Sequence, residues 1–383
     1  MTYRLRNFVE AISESETAPQ NSPFDRFVGL EHYDSGELEI TRFSDTSLLS
    51  SSVKVFHKND ILIARRNVYL RRAGIVFFDG LTSGDSIILR VLSDCESSTG
   101  VPYNIALRWL PLILNSSVFW AYANKHADGM NSKRISKEML LDYEFYAPTL
   151  DEIISVTEKV WAAHELKNRY RVLLKATDEI VKSRFIEQFG CFEKVLPLSE
   201  WIGTTFPGEW GKDDVDGTGV KVIRSTNFTN SGKLDLSNVV TRDIEANKVQ
   251  KKQLKAGDII LERSGGTVDN PVGRVVYFEA EGVFLFNNFT QLLRCKEGVN
   301  SLYVFYSLFN YYQTHKNEIR SMGNKTTGIQ NLKMDKYWEI PIAEAPKERQ
   351  EEFVTLYRQA DKSKFELKES IEKIDKVMRA LIG

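Results

Sequence analysis

The chain repeats itself once, and this limits its architecture more than any other feature of the sequence. Residues 27–40 read FVGLEHYDSGELEI and residues 223–236 read IRSTNFTNSGKLDL; both finish with Ser-Gly, a charged residue, Leu, a carboxylate and an aliphatic residue. The two glycines, Gly36 and Gly232, stand 196 positions apart. KNDILIAR (Lys58–Arg65) returns as AGDIILER (Ala256–Arg263), with Asp60 and Asp258 198 apart. AGIVFF (Ala73–Phe78) returns as VGRVVYF (Val272–Phe278), and RISKEMLLDYEFYAP (Arg134–Pro148) more loosely as GIQNLKMDKYWEIPIAEAP (Gly328–Pro346). Four blocks at a nearly constant offset establish a duplication.

Each repeat has two parts. Short β-branched or aromatic runs bounded by Gly, Asn and Asp, such as DIILER, GRVVYF and VFLF, predict strands. VPYNIALRWLPLILNSSVFWAYANKH and SLYVFYSLFNYYQTHKNEI predict helices packed on the sheet, so each globular part is α+β. After Pro148, Ile153, Val156, Val160, Ala163, Leu166, Tyr170, Leu173, Thr177, Ile180 and Phe185 recur at steps that are mostly three or four residues. After Pro346, Phe353, Leu356, Ala360, Leu367, Ile371, Ile374, Met378 and Leu381 do the same. Each stripe is narrow on an otherwise charged helix, which predicts a coiled-coil-like seam between two long antiparallel helices rather than helices packed only on their own domains. The expected fold is two globular α+β domains joined and separated by two long helices, with an internal pseudo-twofold repeat. The boundaries are 1–148 and 191–345 for the domains and 149–190 and 346–383 for the helices.

The residues that are missing narrow the function. No P-loop, no Gly-rich cofactor loop between strand and helix, and no Asn/Asp-Pro-Pro-aromatic methyltransferase motif occurs; DNPVG (Asp269–Gly273) lacks the second proline and the aromatic. His32, His57, His126, His164 and His315 show no metal or nucleophile spacing, and Asp258 with Glu262 lacks the further residues of a nuclease site. Cys95, Cys191 and Cys295 form no close pair, as expected of a reducing compartment. No segment reaches transmembrane length and no leader is evident, so a soluble cytoplasmic protein is expected. The 51 basic and 52 acidic residues leave a net charge of −1, so any nucleic-acid surface must be a local patch.

The order of these blocks resembles the specificity subunit of type I restriction-modification systems over essentially the whole chain. IRSTNFTNSGKLDL, LKAGDIILERSG and NKTTGIQNLKMDKYWEIPIAEAPKERQEEF are segments of that kind. The resemblance implies a non-catalytic subunit with two target-recognition domains, each reading half of a split, asymmetric double-stranded DNA target. It implies helices that fix the gap and dock two methyltransferase subunits and, where present, restriction subunits. S-adenosylmethionine, ATP and Mg would belong to those partners and no cofactor to this chain. Two other readings stay open: a self-contained methyltransferase or nuclease with a divergent site, and a degenerate or scaffold relative that binds the methyltransferase without reading DNA.

The candidate DNA contacts are basic and amide residues. Arg65, Arg66, Arg71 and Arg72 surround one short segment, and Arg263 and Arg274 stand at the matching place in the second repeat; arginine suits both phosphate and guanine. Lys133 and Arg134 lie in one glycine-opened polar loop and Lys325, Thr326 and Thr327 in its counterpart, suiting phosphate contact or merely solvent. Asn287 and Asn288 suit an adenine contact but are read more readily as a β-turn, and Asn288 is kept among the candidate contacts. Trp161, Tyr170 and Tyr357 are candidate anchors for partner subunits, or seam residues.

Overall fold

A computed structural model describes every residue except Leu48, Asn131, Val268, Thr327 and Gly328, and leaves the side chains of Lys325, Thr326 and Ile329 undescribed. The chain forms two compact units, one of residues 1–173 with 366–383 and one of residues 174–365. The division falls inside both long helices, Leu150–Phe189 and Lys347–Ile382.

The sequence duplication has a counterpart in strand order. In the first unit an antiparallel sheet runs Val9–Ile12, Ser86–Val91, Ile61–Ala64, Ala73–Ile75; in the second it runs Ile202–Pro207, Thr290–Cys295, Ile259–Glu262, Val275–Tyr277. A further sheet in each unit contains one parallel pair, Arg26–Val28 with Gly80–Thr82 and Val220–Ile223 with Phe284–Phe286. Each unit also ties its first strand to the strand preceding a long helix, Thr2–Arg4 to Glu144–Tyr146 and Val195–Pro197 to Pro341–Ala343. The DIILER and GRVVYF runs are strands as expected, because their aliphatic residues are buried on both faces and leave only backbone groups to pair.

One buried ion pair marks the same place in both central sheets. Asp60 takes two hydrogen bonds from Arg90, both at 2.8 Å, and Asp258 takes two from Arg294, both at 2.7 Å. Each aspartate also accepts a backbone N–H three residues earlier, from His57 and Lys255. The aspartates of KNDILIAR and AGDIILER therefore turn the chain into the strand and neutralise an arginine from the neighbouring strand.

The long helices start where the prolines allow. Thr149 and Glu152 form a reciprocal cap, with the Glu152 carboxylate accepting Thr149 N–H at 2.9 Å. In the second unit the two helices run antiparallel: Asp178 accepts from Lys364 at 2.7 Å, and Phe185 meets Phe353 edge-on with centroids 5.1 Å apart. The helices also build the globular cores, which a simple seam does not foresee. Ile153, Val160, Trp161 and Met378 belong to the first unit's core, and Val181, Phe185, Phe189, Phe353 and Tyr357 to the second's.

This double duty shifts the buried face of the first long helix. Leu166, Leu173 and Ile180, expected in the seam, are exposed, whereas His164 and Lys167 are buried. Lys167 is 2% exposed and donates to Glu37 Oε1 at 2.8 Å and Asp375 Oδ1 at 2.7 Å. Glu37 also accepts from Arg171 at 2.7 Å. It follows Gly36, whose φ of +78° makes the turn that the repeated Ser-Gly requires. In the second unit Gly232 has φ +74°, and the residue after it, Lys233, donates to Asp361 of the second long helix at 2.7 Å. The repeated loop is thus bound to a long helix in each unit by an ion pair of opposite polarity.

Burial raises the Glu37 pKa, but hydrogen bonds and charge from Arg171 and Lys167 outweigh it and hold the carboxyl below its ordinary value of 4.5. A depressed carboxyl pKa stabilises the folded state above the unfolded value, and that stability is lost as pH falls through the folded one. Glu37→Gln is therefore expected to lower stability at pH 7 by about 2 kcal/mol. In urea unfolding followed by tryptophan fluorescence, the gap to the unsubstituted chain should close as pH falls below the ordinary glutamate range; a gap independent of pH would contradict this.

Candidate nucleic-acid interface

The arginine segment and the polar loop of the first repeat, some 65 residues apart in sequence, meet in one surface. Asn67 N–H donates to Lys133 O at 2.8 Å, and Ile135 N–H to Arg65 O at 3.1 Å. Arg66 Nε donates to Ser132 Oγ at 2.9 Å, and Arg66 forms a β-bridge with Arg134, which is itself bridged to Asp128. A third segment joins through Arg65 N–H, which donates to Asp85 O at 2.9 Å in the turn before Ser86–Val91. Asp85 lies 3.8 Å from Arg66 and 3.4 Å from Arg134, so one carboxylate is shared by two guanidinium groups.

Arg66, Arg71, Lys133 and Arg134 are exposed; Arg65 is half-buried, and its Nε has no hydrogen-bond partner among the described residues. Lys54 reports the local potential: its pKa is lowered first by burial and next by the charge of Arg65. Arg72 differs from its neighbours. It donates to the backbone oxygens of Leu30 at 2.9 Å and Arg66 at 3.0 Å, and burial lowers its pKa. Its guanidinium braces the loop from beneath.

The second unit repeats these three segments. Leu332 N–H donates to Arg263 O at 2.8 Å, as Ile135 does to Arg65 O. Ser264–Gly265 pairs with Ile329–Leu332, which pairs with Gly323–Thr326 in a hairpin. Arg263 N–H and Ser264 N–H both donate to Phe289 O at 2.9 Å, in the turn that also carries Asn288. Asn288 is exposed there, while Asn287 is buried and its backbone and side-chain oxygens accept the Thr290 hydroxyl. Lys325 and Thr326 lie on the hairpin strand; Thr327 falls outside the described residues.

Arg274 is placed against expectation. Its guanidinium makes bonds of 2.7 and 3.1 Å to Glu262, which is almost wholly buried, and reaches the backbone oxygens of Ser225 and Phe228. Desolvation opposes the charge on Arg274, yet Glu262 more than compensates and raises its pKa. It is a strut within the second unit and not a free cation on its surface. Two of the candidate anchors are likewise internal. Trp161 is 7% exposed with its indole N–H on Arg108 O at 2.8 Å, and Tyr357 is 8% exposed against Tyr306, with centroids 5.3 Å apart. Tyr170 is half-buried. An aromatic residue on a helix that completes a core is more useful inside it, which the narrow-seam reading did not allow for.

Among the described residues no cluster of three or more histidine, cysteine or acidic groups could hold a metal ion, and no helix is long and apolar enough to cross a membrane.

Residues 203–377, spanning most of the second unit and part of the last helix, match the family model described as the type I restriction modification DNA specificity domain. That match takes in fewer than half of the chain's 383 residues, and it shows a similarity of this stretch to that domain. The fold agrees over the full length. The S subunit of a type I restriction-modification system from M. genitalium matches with a TM-score of 0.56 at 12% identity, covering 100% of this chain and 95% of that one. A chain from a structure concerned with complex assembly and conformational transition of the type I R-M system matches at 0.55 and 14% identity, covering 100% and 96%. At those identities the likeness is one of fold. No curated protein matches the chain.

The buried and the exposed arginines are expected to separate cleanly. Arg274→Ala leaves Glu262 as an uncompensated buried charge and should cost about 3 kcal/mol of stability. Arg66→Ala, at an exposed position, should stay within about 0.5 kcal/mol of the unsubstituted chain. Chemical denaturation of both variants checks this; equal losses would refute the assignment.

Proposed function

We propose that the chain is the non-catalytic DNA-reading subunit of a type I restriction-modification complex and recognises a split, asymmetric target. The observation that carries this is the pair of three-segment faces, built on matching hydrogen bonds but carrying different side chains. The first face presents Arg66 and Arg134 on either side of Asp85, together with the exposed Arg71 and Lys133. The second presents Arg263 and Asn288 beside the backbone strand Gly323–Thr326, with Phe289 where the first has Asp85. A shared scaffold with unlike surface residues is what two different half-sites require.

The domain assignment follows the repeat, with recognition domains at 1–148 and 191–345 and helices at 149–190 and 346–383. Helices of 40 and 36 residues extend about 60 and 54 Å, long enough to set the gap between half-sites. Their exposed apolar residues, Leu166 and Val172 on the first helix and Phe365 on the second, are better docking candidates for two methyltransferase subunits than the buried Trp161 and Tyr357. Restriction subunits join where the system has them. S-adenosylmethionine, ATP and Mg belong to those partners, and this chain supplies no catalytic group. The cationic first face favours this reading over a scaffold that does not read DNA.

Replacing Arg66, Lys133 and Arg134 together with alanine, in the complex with the methyltransferase, should weaken DNA binding. It should also flatten the slope of log affinity against log salt by about 2 to 3, since each phosphate left unneutralised removes about 0.9. Equilibrium titrations across a salt series measure this, and an unchanged slope with unchanged affinity would support the scaffold reading.

A further inference from the structure

Each candidate face carries one exposed aromatic side chain that makes no side-chain hydrogen bond or ring contact among the described residues. In the first unit Arg66 and Arg71 bracket a single turn, Val68–Leu70. Val68 is buried and anchors it, while Tyr69 is 61% exposed and Leu70 is also exposed. Asn67 and Arg71, on either side, hold φ values of +55° and +51°, the left-handed region that non-glycine residues adopt at a cost. The turn is kept in that conformation from outside: Asn67 N–H donates to Lys133 O, its side-chain oxygen accepts from Ser132 at 3.3 Å, and Arg72 donates to Arg66 O. Two unfavourable backbone conformations are thus maintained to present a phenol ring and a leucine among four exposed cations.

The second unit reaches a similar result by a different route. Phe289 is 42% exposed on the turn whose carbonyl is fixed by Arg263 and Ser264, two residues from the buried Gln291. Neither ring stacks on another ring, and the Tyr69 hydroxyl makes no hydrogen bond, among the described residues. Neither ring belongs to a hydrophobic core of its unit. Beside arginines that hold phosphates such a ring can meet what phosphate contacts cannot distinguish, namely the apolar faces and methyl groups of bases in a groove.

We infer that Tyr69 and Phe289 are specificity-determining residues that make apolar contact with bases, one in each half-site. The inference rests on the DNA-reading role proposed above and goes beyond it by separating the residues that read sequence from those that only position the duplex. Because the two rings project from different segments, a turn after one strand and the loop before another, the two half-sites are read from different points of the same scaffold.

The test uses the full chain in complex with its methyltransferase. The methylated motif is first determined by sequencing, and competition binding is then measured against every single-base variant of each half-site. Tyr69→Ala should reduce discrimination about tenfold at one or two positions of one half-site and leave the other intact, with the salt slope unchanged. Phe289→Ala should do the same in the other half-site, and Tyr69→Phe should retain discrimination. Both sites are exposed, so thermal midpoints should move little; Tyr69→Ser provides a second soluble variant. Full discrimination at both half-sites in the alanine variants overturns the inference, as does an equal loss of affinity for all sequences, which marks a backbone contact. If the cationic triple variant loses affinity while the aromatic variants change nothing, only this inference fails. If neither set changes DNA binding, the DNA-reading face itself is wrong.

Discussion

The ion pair between the repeated Ser-Gly loop and a long helix is the contact on which the rest of each unit depends. Glu37 with Lys167, and Lys233 with Asp361, join the end of a glycine turn to a helix that also supplies core residues. An apolar stripe taken alone permits a long helix to slide by a turn. A charge placed inside the contact does not, because a slipped register leaves the buried Lys167 without its partner. Lys233 and Asp361, each more than a third exposed, fix the second contact less strongly. The opposite polarity of the two pairs adds selectivity: a first-type loop laid on a second-type helix would set Glu37 against Asp361.

From that fixed frame the surface can diverge without disturbing the interior. The buried Asp60–Arg90 and Asp258–Arg294 pairs, the paired strand orders and the hydrogen bonds to Arg65 O and Arg263 O are the same in both units. What differs is outside them. Asp85 is replaced by Phe289 at the turn, and the arginine-bracketed Val68–Leu70 turn gives way to Ser264-Gly265-Gly266. Such separation lets a duplicated domain change what it reads while its folding contacts stay constant.

Much of this is legible in the sequence. The duplication, the strands of DIILER and GRVVYF, and both long helices follow from block spacing and periodicity, which are local signals. The side of the first long helix that is buried is not legible. Apolar periodicity puts Leu166, Leu173 and Ile180 in the seam, whereas Lys167 is inside because Glu37, 130 residues earlier, meets it there. The same limit applies to Trp161 and Tyr357, which lie in the cores instead of anchoring a partner, and to Arg274, whose partner Glu262 has Ala64 as its counterpart in the first repeat. The joining of Arg66 to Ser132 and Arg134 is equally hidden, since nothing local announces a bridge between loops so far apart. Tyr69 does carry a local signal, an aromatic residue between two arginine pairs.

If this chain alone determines where a partner methyltransferase acts, methylation must depend on its presence. Methylation-sensitive sequencing of a plasmid library exposed to the methyltransferase, with and without this chain, tests that most directly. The expected result is an adenine motif of two unlike half-sites separated by a fixed gap, present only when the chain is added. Methylation that is unchanged when the chain is omitted, or a motif with a single uninterrupted site, would contradict it.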